Sequence, residues 1–392
     1  MTPTAAAGPR GARIALFLPS LVGGGAERVM VNLARGFAER GVVVDLVLAR
    51  AEGPCLADVP ASVRVVDLGA RRVLAAVLPL ARYLCRERPA VLLSAIGHAN
   101  VAAVWARELA RLAARVPTRV IVSAHNTLSQ AAAHPLNTRA RFVPRLLGAA
   151  QRRADAVVAV SRGVAEDLAR TTGLPVERIQ VLHNPVVTPE LLARSREPVA
   201  HPWLQVGGDG QQPPVVLGAG RLTWEKDFPT LIRAFALVRR RRPARLIVLG
   251  EGPDRAGLEA LVRELGLQAD VELPGFTPNP YAYMARAAVF VLSSASEGLP
   301  TVLIEALASG TRVVATDCRS GPREILDGGR LGPLVPVGDA AALAEGIAAA
   351  LEQPAGAAPA AAAESWGSFS LDTAVDGYLR LVAQLGPAAR HA

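Results

Sequence analysis

Lysine is almost absent from this chain of 392 residues: of its 43 basic side chains, only Lys226 is not arginine. Cysteine is nearly as scarce, with Cys55, Cys85 and Cys318, three in number and without the spacing of a metal site. That excludes a disulfide framework and suits a reducing compartment. Aromatic residues make up 4% of the chain and do not interleave with the arginines. A nucleic-acid module would need them there, so no nucleic-acid partner is expected. No apolar run approaches the ~20 residues a membrane span needs; the best, Val73 to Ala81, contains Pro79 and stops at Arg82. Met1 to Gly11 is small and Pro-rich without the apolar segment of a signal peptide, so residues 1–11 are expected to form a disordered tail. Neither Asp-x-Asp nor Gly-x-Gly-x-x-Gly occurs. The first absence argues against a metal-bridged diphosphate, the second against a dinucleotide-dependent oxidoreductase.

What is present is apolar, at 51%, ample for two cores, and the length suits two domains of ~150–200 residues each. Charge is uneven: residues 1–190 hold 24 Arg against 13 acids, whereas the rest hold 18 Arg and one Lys against 21 acids. A basic half suits an anionic lipid surface or a phosphorylated lipid-linked substrate, though a solvated basic surface has the same composition. Thr138–Arg153 is amphipathic, with Phe142, Val143, Leu146, Leu147 and Ala150 set against Arg139, Arg141, Arg145, Arg152 and Arg153. A helix lying on an anionic membrane has this pattern; so does an ordinary domain helix with its arginines in water.

Short apolar runs alternate with helical periodicity. Strands are predicted at Arg13–Pro19, Val42–Leu48, Ala90–Ser94, Arg119–Ser123, Ala156–Val160 and Gln180–His183, with helices at Ala26–Arg40, Leu74–Arg86, Asn100–Ala113 and Arg162–Arg170 between them. Residues 188–214 lack periodicity and are rich in Pro and Gly, which predicts a linker. Beyond it the alternation resumes, with strands at Val215–Gly218, Leu246–Gly250, Val271–Leu273, Ala287–Leu292 and Arg312–Thr316. Helices are predicted at Pro229–Arg239, Thr301–Ser309, Ala341–Gln353 and, after an Ala/Pro-rich stretch, Leu371–Gln384. Such alternation predicts an α/β chain with parallel sheets.

Two stretches carry candidate chemistry. Ser293–Gly310 reads as the loop and helix of a β-α-β unit, so Ser293–Leu299 falls at the carboxyl end of a parallel strand, where such folds bind ligands. Glu297 lies in that loop, and Glu305 lies in a helix whose other residues are apolar all round. A buried acid needs a partner, and a ligand with hydroxyl donors would supply one. The start of the same helix offers a site for phosphate. The second stretch is Ala219–Phe228, where Arg221 and Lys226 stand five residues apart just past a strand, placed to hold a diphosphate. In a chain that has otherwise drifted to arginine, one spared lysine points to a specific role. Nearer the N-terminus, Gly23, Gly24 and Gly25 follow the first strand and let the backbone approach a phosphate closely. His125, just past a strand end, is by itself more often a satisfied structural group than a ligand contact.

Glu-x7-Glu with Gly298-Leu299-Pro300 inside it, preceded by Gly220-Arg221-Leu222 and Lys226-Asp227, resembles the signature of the retaining GT-B glycosyltransferases of family 4. The resemblance runs from Gly23 to about Leu385. It implies two Rossmann-like domains facing a cleft: an acceptor domain at 12–187 and a donor domain at 215–364, with a helix at 365–386 crossing back to the first. It further implies that Glu297 contacts the donor hexose, Glu305 the nucleotide ribose, and Arg221 and Lys226 the donor phosphates. Gly298, Leu299, Pro300 and Thr301 would complete that site, and the loops at Gly252 and Phe276 would border the base. His125, in the family's His-Asn pair, would reach the donor hexose. Gly23, Gly24 and Gly25 would lie against the reaction centre. Catalytic roles are expected for Glu297, His125, Lys226 and Arg221. The implied reaction moves a hexosyl or N-acetylhexosaminyl group from a nucleoside diphosphate sugar, UDP-sugar favoured, to a glycan or lipid-linked acceptor in bacterial surface-polysaccharide assembly, without metal or cofactor. A cytoplasmic enzyme touching the anionic inner face of the plasma membrane is expected. A catalytically silent sugar-nucleotide-binding protein is the alternative, with a nucleotide-cofactor oxidoreductase behind it.

Overall fold

The computed structural model describes residues 13–22, 24–129, 143–205, 212–353 and 366–386. Gly23, the tail, residues 138–142 of the amphipathic stretch and the Ala/Pro-rich stretch at 354–364 lie outside the described residues. The chain divides into two units, Met1–Val186 with Phe369–Ala392, and Val187–Ser368.

The apolar runs become parallel strands because each is short, rich in Val, Leu and Ile, and buried on both faces. In the first unit they are β1 (Arg13–Leu18), β2 (Val43–Leu48), β3 (Arg64–Asp67), β4 (Val91–Ala95), β5 (Arg119–Ala124), β6 (Ala156–Ala159) and β7 (Ile179–Val181). Their order across the sheet is β3-β2-β1-β4-β5-β6-β7. In the second unit β8 (Val215–Ala219), β9 (Arg245–Leu249), β10 (Val271–Gly275), β11 (Val289–Leu292), β12 (Val313–Thr316) and β13 (Leu334–Val335) run β10-β9-β8-β11-β12-β13. Every pairing is parallel. The order reverses between β1 and β4 in one sheet and between β8 and β11 in the other. At these switch points successive loops diverge, and doubly wound folds bind ligands there.

Several elements depart from expectation, among them helix Arg255–Glu264 and strand β13, which were not expected; three departures have a clear reason. β3 was not expected: Arg64-Val65-Val66-Asp67 is a largely exposed edge strand without an apolar run to betray it. The region expected as a structureless linker opens with a helix, Pro189–Arg194, whose first turn is capped by Thr188 accepting from Leu191 N at 3.1 Å. Thr-Pro is a helix start signal that the Pro-rich composition concealed. The expected helix at Leu74–Arg86 is a 3-10 turn, Val73–Ala76, followed by an α-helix at Val77–Glu87.

Within the first unit the final helix, Leu371–Gln384, packs on helix Gly25–Glu39, with Tyr378 edge-on to Phe37 at 6.4 Å between ring centres. The contact is tight enough that Gly36 meets Leu371 and Val375 directly. Buried Asp45 on β2 ties one flank of the sheet: it accepts from Arg13 on β1 at 2.9 Å, Arg64 on β3 at 2.6 Å and Tyr83 at 2.5 Å. Burial alone would raise its pKa, but Arg64, Tyr83 and Arg13 together hold it below the usual carboxylate range.

Candidate functional site

The switch point of the second sheet gathers the two stretches singled out by sequence. β8 ends at Ala219, and the chain runs through a 3-10 turn, Trp224–Lys226, into helix Phe228–Arg241. Asp227 makes that corner possible: it takes the left-handed conformation at φ 45° and caps the helix by accepting from Thr230 N. Asp tolerates that region better than most residues. β11 ends at Leu292, and its loop leads into helix Thr301–Ala308. Pro300 is the residue before the first turn.

Main-chain and side-chain bonds join the two loops. Ala295 N donates to Glu225 O at 2.8 Å, and Ser293 Oγ donates to Lys226 O at 2.7 Å. On this frame Lys226 Nζ reaches Glu297 Oε1 at 2.6 Å, and Ser294 Oγ donates to the same oxygen at 2.7 Å. Both partners are largely shielded, with 21% and 12% of their side chains exposed. At such depth a paired charge interacts strongly, and loss of either partner leaves the other uncompensated. The aliphatic stem of Lys226 lies over Gly220, which fixes the approach of its ammonium group.

The neighbouring loops close in on the backbone. Gly250, at φ 129°, stands so near that an added Cβ would fall 1.9 Å from Gly220 O, and one at Gly252 would fall 2.3 Å from Leu222 O. Only glycine lets the loop after β9 press on the loop after β8. Ser320 Oγ donates to Gly298 O at 2.8 Å and holds the Gly298–Pro300 turn from the β12 side. Arg221 is exposed, Phe276 is 71% exposed, and Thr301 is half-buried at the helix start, whereas Gly298, Leu299 and Pro300 are buried. Glu305 is 6% exposed, the buried helical acid expected from the apolar pattern around it.

The first unit presents its own set. Gly24 caps helix Gly25–Glu39 after β1, at that sheet's switch point. Immediately after β4, Ile96 sits at φ 75°, a conformation costly for a β-branched side chain, at the start of helix Gly97–Ala114. His125 follows β5, with its Nε2 3.1 Å from Ser123 Oγ. The residue is half-buried, and burial pushes its pKa down to about 4, so it is neutral at pH 7.

Sequence reading singled out the charged groups and missed the small hydroxyls that position them. Ser293 and Ser294 are buried and polar just past the apolar strand β11, and that contrast is the signal that could have found them; Ser320, also buried, lies in the loop after β12. Chemically, the second unit pairs a compact cation with a carboxylate at a helix start, beside a buried second acid. The cation can meet phosphate oxygens and the acids can accept from hydroxyls.

Comparison with known proteins agrees with this geometry. Residues 23–190 match the family model described as Glycosyltransferase Family 4, and residues 203–366 match that of Glycosyl transferases group 1. Over 375 residues the chain is 30% identical to the lipopolysaccharide core biosynthesis glycosyltransferase LpsE of Rhizobium meliloti, covering 92% of this chain and 96% of that one. It is 34% identical over 200 residues to the N-acetylgalactosamine-N,N'-diacetylbacillosaminyl-diphospho-undecaprenol 4-alpha-N-acetylgalactosaminyltransferase of Campylobacter jejuni. That match spans 51% of this chain and about half, 52%, of the relative's length. Among solved structures, Anabaena HepE in complex with UDP and glucose superposes with a TM-score of 0.74 at 20% identity, over 95% of this chain and 100% of that one. With two doubly wound parallel sheets and this full-length likeness, the chain belongs to the family 4 glycosyltransferases of GT-B fold.

Proposed function

We propose that this protein transfers a hexosyl or N-acetylhexosaminyl group, with retention, from a nucleoside diphosphate sugar to a hydroxyl of a glycan or lipid-linked glycan in bacterial surface-polysaccharide assembly. The observation that carries this reading is the Lys226–Glu297 pair at the switch point of the second sheet. In this reading a donor diphosphate takes up the charge of Lys226 and Arg221, and Glu297 turns to the hexose hydroxyls. Glu305 holds the ribose, while His125, Gly24 and Gly25 serve from the first unit. Cations take the place that a metal would hold, since no Asp-x-Asp is available to bind one. Uridine is the favoured nucleoside because the HepE structure is a complex with UDP and glucose.

The test is donor binding followed by turnover. A fitting nucleotide at 100 times its Kd should add ~2.7 kcal/mol to stability, read as a thermal shift across UDP, GDP and ADP sugars. Slow donor hydrolysis should accompany binding and persist in EDTA. Binding without hydrolysis or transfer to any acceptor would leave a silent sugar-nucleotide-binding protein. The two acids should then separate. Glu305→Gln should weaken binding of free nucleoside diphosphate by about 10-fold, the scale of one charged hydrogen bond. Glu297→Gln should leave that binding nearly intact and lower kcat by at least about 100-fold. Equal losses of nucleotide affinity would end the distinction.

A lipid-linked acceptor would require contact with an anionic membrane from the cytoplasmic side. No helix among the described residues is long and apolar enough to cross one. One side of the first sheet offers a surface instead. Helices Val77–Glu87, Gly97–Ala114 and Val143–Arg153 pack side by side and expose Leu78, Trp105, Leu109, Leu112 and Leu146, with Leu74 just ahead of the first. Leu78 and Leu109 share an apolar groove bordered by Arg82 and Arg86, and Arg153 stacks over Trp105 at 5.5 Å. Exposed leucines rimmed by arginines suit the interface of an anionic bilayer. Of the arginines expected in this role from sequence, Arg152 and Arg153 lie here, Arg145 sits in the same helix, and Arg139 and Arg141 fall outside the described residues.

A further inference from the structure

The end of β12 and the loop after it grip the Glu297 loop along its length. Thr316, fully buried as the last residue of β12, has its Oγ1 2.6 Å from Ser294 O and 3.3 Å from Leu292 O. A threonine hydroxyl has one proton to give, and the nearer oxygen takes it. Ser320 Oγ donates to Gly298 O further on. Gly321 lies against the turn itself: an added Cβ would stand 2.4 Å from Pro300 Cδ, 3.1 Å from Leu299 Cα and 3.2 Å from Gly298 O. Its backbone, at φ 94°, also favours glycine. This side of the grip is anchored in the core, since Ile325 N donates to Gly321 O at 2.9 Å and Ile325 and Leu326 are fully buried. Glu297 stands between the gripped residues. Ser294, whose carbonyl Thr316 holds, gives its own hydroxyl to Glu297 Oε1 at 2.7 Å.

We infer that Thr316 and Gly321 are positioning residues: they set where Ser294 and Pro300 stand, and so where the Glu297 carboxylate meets Lys226. Thr316 acts through one hydrogen bond, Gly321 through the absence of a side chain. The consequence for sugar transfer rests on the role proposed above for Glu297; the positioning does not.

Because Lys226 is the only lysine of the chain, the ε-methylene NMR signal of carbon-13-labelled lysine in the intact protein reports on its pair with Glu297 without assignment. Glu297→Gln should shift that signal. Thr316→Val, which keeps the shape and removes the hydroxyl, should shift it too, as should Gly321→Ala. The kcat of transfer or donor hydrolysis should fall about 10-fold in Thr316→Val and up to about 100-fold in Gly321→Ala. Affinity for free nucleoside diphosphate should stay within about 3-fold in both. On a Glu297→Gln background Thr316→Val should cost less than about 3-fold more, because the group it positions is already disabled. Thr316→Ser keeps the hydroxyl and should match the wild type. Thr311 supplies the control: it is buried just ahead of the other end of β12 and donates to Met284 O. Thr311→Val removes a comparable bond, so it should lower Tm while moving neither the lysine signal nor kcat. An unchanged lysine signal in Thr316→Val, or an equal loss of kcat in Thr311→Val, would overturn the inference, whether or not Gly321→Ala folds. Shifted signals with unchanged turnover, in Glu297→Gln as well, would uphold the positioning and remove Glu297 from the proposed reaction.

Discussion

Lys226 separates charge from shape at the scale of one residue. The chain uses arginine at every other basic position, so Lys226→Arg would look innocuous in a sequence comparison. In the structure the lysine stem crosses Gly220 and delivers a compact ammonium group to Glu297 Oε1 at 2.6 Å, in a loop fixed by Ser293 and Ser294. A guanidinium carries the same charge on a wide planar fork that needs another approach. If the ammonium group meets the leaving diphosphate, misplacing it removes stabilisation where negative charge develops. Steady-state transfer, or donor hydrolysis, should show kcat/KM at least ~10-fold lower, equivalent to ~1.4 kcal/mol, with Tm nearly unchanged and Lys226→Ala lower still. Near-wild-type turnover in Lys226→Arg would mean that the site needs only a positive charge.

At the scale of elements, two helical glycines predict opposite outcomes for the same substitution. Helix propensity alone says that Gly→Ala stabilises by up to ~1 kcal/mol. Gly257, exposed in helix Arg255–Glu264, has nothing within 4 Å of an added Cβ, so Gly257→Ala should raise stability by about 0.5–1 kcal/mol. Gly36 faces the C-terminal helix, and a Cβ there would come within 2.4 Å of Val375 Cγ2. Valine is stiff and this one is buried, so Gly36→Ala should destabilise by about 1–3 kcal/mol. Urea unfolding of the two variants decides it, and a stabilised Gly36→Ala would show that the helices can separate at little cost. Neither sign is legible in the sequence, which does not record what faces each glycine. The same limit explains β3, whose exposed edge position leaves no apolar signature.

For the whole molecule the testable claim is the membrane contact proposed for one side of the first sheet. Leu78→Ser, Leu109→Ser and Leu112→Ser together should lower co-sedimentation with anionic vesicles by at least about 10-fold while leaving its salt dependence. Arg82→Gln and Arg86→Gln should each weaken binding about 5-fold, the equivalent of ~1 kcal/mol per basic residue near such a surface, and flatten the response to salt. Binding that ignores both sets of substitutions, or that never occurs, would remove the membrane from the proposed function.

The sequence by itself determined the α/β alternation, the parallel sheets and the charged residues of the second unit. Buried parallel strands must be short apolar runs, and Glu297, Glu305, Arg221 and Lys226 stand out against them. It also determined that Glu305 is buried, because its helix has no polar side to offer. Only the tertiary structure decided which groups meet. Lys226 and Glu297 are 71 residues apart in the chain and touch because the order of strands reverses between β8 and β11. Tyr378 meets Phe37 because the last helix returns to the first unit. Periodicity records which side of an element is buried, but contacts between distant segments depend on strand order and packing, and neither leaves a local pattern to read.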